Sequence, residues 1–307
     1  MQQEQPVIII AGPTAAGKTG AAVRLCQEIS GEVISADAMA VYRYMDVGTA
    51  KPTVQERAAV PHHLVDVADP DEDFDAARYS RMAREAATGI LARGKLPVVA
   101  GGTGLYIKTM LHGLFSRGES DPKVRDALRR EAEERGPAAL HERLAGLDPV
   151  AAARIHPNDA FRIVRALQII ETTGKPITAQ QKDHGFAETP YRPLYLFLCP
   201  DRDVLYRRIS ERVDRMMEAG FLAEVEGLLS RGYGRDLKAM QSIGYRQLAA
   251  HLAGETSLED AVMLIKRDTR RFAKRQITWF SAAPEAVRAD PGDHERIREL
   301  AREHLGA

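Results

Sequence analysis

Val7-Ile8-Ile9-Ile10-Ala11-Gly12-Pro13-Thr14-Ala15-Ala16-Gly17-Lys18-Thr19 is the stretch from which the fold follows. Its first five residues form a short, continuous apolar run of β-branched character, the pattern of a strand buried on both faces in a parallel sheet. The next eight match G-x-x-x-x-G-K-[ST] in full, and Gly20 to Cys26 continues with helical character. Strand, glycine loop and helix in that order predict a phosphate loop. Its backbone N–H groups turn inward around a phosphate, the helix N-terminus adds partial positive charge, Lys18 adds a full one, and the Thr19 hydroxyl can hold Mg²⁺. The natural ligand is a diphosphate or triphosphate. The loop serves two reactions equally: a kinase or NTPase moves the γ-phosphoryl group of a bound nucleotide such as ATP, whereas a transferase can release diphosphate as the leaving group of a carbon chain.

Further runs of strand length occur at Glu32 to Ala36, Leu64 to Val67, Leu96 to Ala100 and Leu194 to Leu198, with helical periodicity between most of them. Alternating strands and helices imply an α/β fold, a parallel sheet flanked by helices of the P-loop NTPase kind. From about Ser116 to Arg192 the strand signal stops, and Pro122 to Arg135, Ala138 to Leu147 and Asp159 to Thr172 read as helices between Gly and Pro breaks. The expected organisation is a discontinuous core of residues 1–115 and 194–307 with an all-helical insertion domain at 116–193. After the strand at 194–198 the chain reads as helical, with loops at Gly227 to Gly234 and Pro284 to Asp293.

Composition narrows the classes. The 43 Lys+Arg balance 43 Asp+Glu in 307 residues, and 44% of the chain is hydrophobic, ordinary for a soluble globular protein. Two cysteines, Cys26 and Cys199, exclude a disulfide framework and a Cys-rich zinc module. The adjacent His62 and His63 lack a Cys or carboxylate at ligand spacing, so they read as ordinary surface or core histidines. No apolar run approaches the roughly 20 residues that span a bilayer, and the opening MQQEQP is not a secretory signal, so a cytoplasmic protein without a membrane partner is expected. Charge is concentrated in Val262 to Phe280, where Lys266, Arg267, Arg270, Arg271, Lys274 and Arg275 stand against Asp268 alone. At 100° per residue the arginines and Lys274 share one half of the helix circumference, a footprint for an anionic partner or a solvated face.

The run Glu32 to Asp37 is an apolar strand ending in an acid at the carboxyl edge of the sheet. Asp37 can be a Mg²⁺ ligand, a general base or the cap of a following helix, and its spacing from the loop does not choose among them. At this point the motifs form a pattern. GPTAAGKT, ISADAMAVYRYMDVGTAKP (Ile34 to Pro52), HHLVD (His62 to Asp66) and VVAGGTGLY (Val98 to Tyr106) resemble the successive motifs of the tRNA dimethylallyltransferases. DPKVR (Asp121 to Arg125), HPNDAFRIVRALQIIETTGKP (His156 to Pro176), ERVDRMMEAGFLAEV (Glu211 to Val225), MQSIGYRQ (Met240 to Gln247) and KRQITWF (Lys274 to Phe280) extend the likeness from about residue 7 to residue 280.

The resemblance implies a dimethylallyl transfer from dimethylallyl diphosphate to N6 of the adenosine on the 3′ side of the anticodon. A related enzyme acting on free adenine nucleotides and a P-loop kinase are the alternatives. In the implied site the loop from Gly12 to Thr19 cradles the diphosphate, Thr19 positions Mg²⁺, Arg212 stands near the diphosphate and Asp37 is the catalytic base. Ala38, Met39 and Ala40 match the stretch that meets the substrate RNA, and Thr103 a position that meets the flipped adenosine. Contacts to the anticodon stem-loop are expected from Arg125, Phe161, Arg162 and Arg165 in the insertion. Gly244, Tyr245 and Arg246, with Lys274, Arg275 and Gln276, would add to them from the core. Phe161 stands where the family usually has Gln, and Ser281 where it usually has Arg. A clamp of this kind works as a monomer.

Overall fold

The structure is a computed structural model and describes residues 4–113, 122–184 and 190–306. The chain separates into two compact units, residues 1–111 with 190–307, and residues 112–189. The first unit opens with β1 (Gln5–Ala11), α1 (Lys18–Ile29), β2 (Gly31–Ser35), α2 (Val54–Ala59), β3 (His62–His63), α3 (Ala76–Ala92), β4 (Leu96–Gly101) and α4 (Gly104–His112). The helical segment holds α5 (Pro122–Arg135), α6 (Pro137–Leu147), α7 (Pro149–Arg154), α8 (Ala160–Thr173) and α9 (Ile177–His184). The chain then returns through β5 (Tyr191–Leu198), α10 (Arg202–Glu218), α11 (Phe221–Ser230), α12 (Tyr245–Leu252), α13 (Leu258–Ser281), β6 (Val287–Ala289) and α14 (His294–Leu305).

Among the described residues the strands form one parallel sheet in the order β3-β2-β4-β1-β5-β6. Alternation along β1 explains its apolar run. Val7, Ile9 and Ala11 enter one core with Tyr79, Ala83 and Ile90 of α3 and Phe280 of α13. Ile8 and Ile10 enter the opposite core with Ala22 and Leu25 of α1 and Ile297 of α14. Both faces are covered, so no polar position interrupts the strand. β1 lies at the centre between β4 and β5, and the loops leaving β1, β2 and β4 share one edge of the sheet.

Four expectations change. The loop expected at Gly227 to Gly234 begins only after α11, which runs through Ser230. The strand expected at Leu64 to Val67 is instead the two-residue β3 at His62–His63, because Leu64 (φ 61°) and Asp66 (φ 59°) take left-handed backbone that ends the ladder. The segment Pro284 to Asp293 is not all loop: β6 pairs with β5, Leu196 to Val287 and Leu198 to Ala289. β5 also begins at Tyr191, paired with Gln5, so residues 191–193 belong to the sheet.

The helical unit buries Leu128, Leu140, Leu144, Ile163 and Leu167 in a core of its own. The Asp148 carboxylate caps α7 at Ala151 N and also accepts from the Thr178 N–H and hydroxyl, fixing α7 against α9. Asp159 caps α8 by accepting from Arg162 N, and Gly174 closes that helix in the left-handed region. No helix among the described residues is long and apolar enough to cross a membrane.

Candidate active site

The loop from Gly12 to Thr19, expected to hold phosphate, is shaped by its glycines. Gly12 sits at φ 154°, where a Cβ would stand 2.2 Å from Leu198 O, so the chain crosses the end of β5 without room for a side chain. Gly17 caps α1 in the left-handed region and offers no side-chain oxygen to the first-turn N–H groups. The positive end of α1 therefore faces the loop without a competing cap. Lys18 Nζ donates to Pro13 O at 2.7 Å, and Arg212 Nη1 on α10 donates to Thr14 Oγ1 at 3.3 Å. Thr14, Lys18, Thr19, Ser35, Asp37, Arg212 and Gln276 line one polar cleft.

Asp37 follows β2 and caps a turn, not a helix: its Oδ1 accepts from Met39 N at 2.8 Å and Ala40 N at 3.2 Å. The Thr103 hydroxyl accepts from Ala38 N at 3.0 Å, and Thr103 N donates to Ala36 O at 3.0 Å, so the turn after β4 fixes the turn after β2. Thr103 is thus a brace for the Asp37 turn as well as part of the cleft wall. Burial pulls the Lys18 ammonium down to about 8, with Asp37 opposing the shift and Arg212 adding to it. Burial also lowers Arg212, again opposed by Asp37. Two cations facing one carboxylate leave uncompensated positive charge at the loop, and an anionic ligand relieves it. Inorganic diphosphate affinity should fall as pH rises through about 8 because the Lys18 charge is then lost, and the fall should vanish in Lys18→Met; calorimetric titration across pH measures both.

Beyond the charged end the cleft turns apolar. A cavity of about 390 Å³ shares Thr14, Asp37, Arg212 and Gln276 with the polar cleft and continues between Ile209, Val213, Met216, Phe221, Ile243, Ile265 and Phe272. One wall is the loop 46–49, and Glu224 of α11 fixes it. The Glu224 carboxylate accepts from Asp46 N and Val47 N at 2.7 Å each, from Gly48 N at 3.0 Å and from the Tyr245 hydroxyl at 2.7 Å. Nothing in the sequence around Glu224 pointed to that role, because its partners in the loop lie 176 to 178 residues away.

Several expected RNA contacts prove to be internal. Tyr245 is 1% exposed and its phenol is spent on Glu224, so it packs the wall and is not a surface contact. Gly244 is buried, and its N–H is taken by Gln247 Oε1. Gln276 is 6% exposed: its Oε1 accepts from Thr14 N and its Nε2 donates to Gly102 O, each at 2.9 Å. It is a strut between α13, the phosphate loop and the turn after β4. Ala40 is buried, whereas Ala38 and Met39 line the apolar cavity. Arg246, Lys274 and Arg275 are exposed, and Arg246 pairs with Asp268 at 2.8 Å. His62 Nδ1 bonds Val60 O, and His63 Nε2 bonds Glu32.

Within the helical unit Arg125, Phe161 and Arg165 come together, with Arg129, along a groove of about 440 Å³. Phe161 is 75% exposed, so its ring is a surface feature and not part of the unit's core. Arg125 Nε is buried without a hydrogen-bond partner, while Arg162 turns away to Asp159 at 3.0 Å.

Comparison with known proteins follows the same geometry. The family model described as IPP transferase matches residues 40–283, and that described as isopentenyl transferase matches residues 5–67. A tRNA dimethylallyltransferase of Desulfatibacillum aliphaticivorans is 53% identical over 298 residues, 97% of each chain. One of Desulfosudis oleivorans is 57% identical over 284 residues, 92% of this chain and 90% of that one. Among solved structures, the tRNA isopentenylpyrophosphate transferase of Bacillus halodurans superposes with a TM-score of 0.72 at 40% identity, covering 99% of both chains. A eukaryotic dimethylallyltransferase acting on tRNA superposes with a TM-score of 0.81 at 30% identity, covering 98% of this chain and 77% of that one.

Proposed function

This chain belongs to the IPP transferase family of tRNA dimethylallyltransferases, and from that premise we propose how its site carries out dimethylallyl transfer to tRNA. The donor is dimethylallyl diphosphate, and the acceptor is N6 of the adenosine on the 3′ side of the anticodon. One observation carries the choice of donor: the polar cleft at the phosphate loop opens directly into an apolar cavity of about 390 Å³. A diphosphate bearing a short hydrocarbon matches that change of character, with the diphosphate at Lys18 and Arg212 and the hydrocarbon against Ile209, Val213 and Phe272.

In the reaction N6 attacks the allylic C1, the C1–O bond breaks, and diphosphate leaves with the bonding electron pair. N6 then gives up a proton. Lys18, the first-turn N–H groups of α1 and Arg212 oppose the charge that builds on the departing oxygens. Asp37 takes the proton: its Oδ1 is fixed by two backbone N–H groups, and its other oxygen has no protein partner among the described residues. The residues also fit Mg²⁺. The Thr19 hydroxyl lines the cleft without a hydrogen-bond partner among the described residues and would hold Mg²⁺ there. When bound, Mg²⁺ supplies further neutralisation of the leaving group. The acceptor base must leave its stack in the RNA to reach the cavity, at a cost of a few kcal/mol offset by contacts elsewhere on the RNA. We place this work in the cytoplasm, performed by a monomer.

The test is mass spectrometry of nucleosides from unmodified tRNA incubated with the protein, Mg²⁺ and dimethylallyl diphosphate, with AMP or ATP replacing RNA in parallel. The expected result is a dimethylallyl increment on adenosine in the tRNA alone. An increment on AMP or ATP would instead mark a mononucleotide enzyme.

A further inference from the structure

The polar cleft carries an acceptor that the transfer chemistry leaves unused. His62 of β3 stands beside Val33 of β2 in the parallel ladder, so the two side chains leave the sheet on the same face. Val33 shares a core there with Ala21 and Ala22 of α1, and Ser35, two residues on, lies on that face as well. The imidazole therefore reaches the cleft from the side of α1, whose first turn holds Thr19. His62, Val33, Ser35, Lys18 and Thr19 all line that cleft.

The place of the ring proton follows from its partner. Val60 O can only accept, so Nδ1 at 2.8 Å from it carries the hydrogen, and Nε2 of the neutral ring presents a lone pair. Burial lowers the His62 pKa, which favours that neutral form. Nε2 is screened from bulk solvent and has no hydrogen-bond partner among the described residues. An acceptor buried in this state is destabilising until a donor reaches it.

The donor must come from what the cleft binds. A diphosphate only accepts at neutral pH, and a dimethylallyl group carries no donor. The side-chain cations are directed elsewhere: Lys18 donates to Pro13 O and Arg212 to Thr14 Oγ1. Mg²⁺ at the Thr19 hydroxyl brings donors of the right kind, because it gives up its waters reluctantly and the retained waters are polarised. Such waters need acceptors, and the cleft offers few. Gln276 Oε1 is committed to Thr14 N, and Asp37 Oδ1 to Met39 N and Ala40 N.

We propose that His62 is a positioning residue for the metal: its Nε2 accepts a hydrogen bond from a water on the Mg²⁺ that Thr19 holds, without ligating the ion itself. The inference rests on the reading of the loop as a site for Mg²⁺ and diphosphate.

The experiment is calorimetric titration of inorganic diphosphate at a series of free Mg²⁺ concentrations, and in excess chelator, for wild type, His62→Phe and His62→Gln. Phenylalanine removes the acceptor, whereas the glutamine amide oxygen can stand where Nε2 stood. Both variants forfeit the imidazole bond to Val60 O, so their difference isolates Nε2. The Mg²⁺ concentration giving half-maximal diphosphate binding should rise by about 10- to 100-fold in His62→Phe and stay within a few-fold of wild type in His62→Gln. Metal-free diphosphate affinity should be the same in all three proteins. Equal Mg²⁺ requirements in wild type and His62→Phe would overturn the proposal, and so would equal losses in the two variants. Metal-free affinity that falls in His62→Phe as much as the Mg²⁺-dependent affinity would overturn it too, since the residue would then act on the shape of the loop. Failure of the underlying reading is separable: wild-type diphosphate binding would then be indifferent to Mg²⁺.

Discussion

Asp37→Asn lowers the rate of dimethylallyl transfer to tRNA by about 10²- to 10⁴-fold, the range that a positioned general base contributes. It should do so without weakening diphosphate binding. The amide keeps an oxygen that can accept from Met39 N and Ala40 N, so the turn after β2 and the Thr103 brace survive. What disappears is the negative charge, which opposes the lowering of Lys18 and Arg212 and competes with an incoming anion. Diphosphate should therefore bind as well or slightly more tightly. Asp37→Ala should lose the same activity and also relax the turn, because both N–H groups lose their acceptor. Single-turnover transfer with labelled donor, paired with calorimetry of diphosphate, separates the two effects. Lost diphosphate affinity in Asp37→Asn would instead make the residue a metal ligand, and activity within a few-fold of wild type would remove it from the chemistry altogether.

What the sequence carried and what it did not follow a physical line. Local signals survived folding: an apolar run covered on both faces reads as a buried strand, and the glycines of Gly12 to Gly17 read as a loop between that strand and a helix, because each depends on neighbours within a few residues. The helical segment was legible for the same reason, through caps such as Asp159 and breaks such as Gly174. Long-range hydrogen bonds left no such trace. Glu224 reads as one more acid on a helix face until three N–H groups of the loop 46–48 are seen around it. Tyr245 and Gln276 sit in segments that resemble RNA-contacting ones, yet only three-dimensional packing shows that both are buried. β6 escaped notice because three residues at a sheet edge carry no periodicity of their own.

Gln276 is where that hidden layer should matter most. Its amide joins Thr14 N, 262 residues away in the chain, to Gly102 O, 174 residues away, so one side chain sets the spacing between the phosphate loop and the turn that braces Asp37. Gln276→Ala leaves a buried donor and a buried acceptor unpaired at about 1–3 kcal/mol each, and part of that cost falls on the geometry of the loop. kcat/KM for the diphosphate donor should drop by about 10²-fold in that variant. Gln276→Glu is the sharper test. A carboxylate can still accept from Thr14 N, but it faces the Gly102 carbonyl with no proton to donate and adds negative charge beside the diphosphate site. At neutral pH its defect should equal or exceed that of alanine, with most of the effect in the donor KM. As pH falls the buried carboxyl takes up a proton, regains a donor for Gly102 O and loses its charge, so the donor KM of Gln276→Glu should recover far more steeply than that of wild type, and Gln276→Ala should not recover at all. Initial rates across pH for the three proteins decide it. A glutamate variant that tracks the alanine variant at every pH would show that a protonated carboxyl does not restore the contact to Gly102 O, and a wild-type KM in Gln276→Ala would show that the loop keeps its shape unaided.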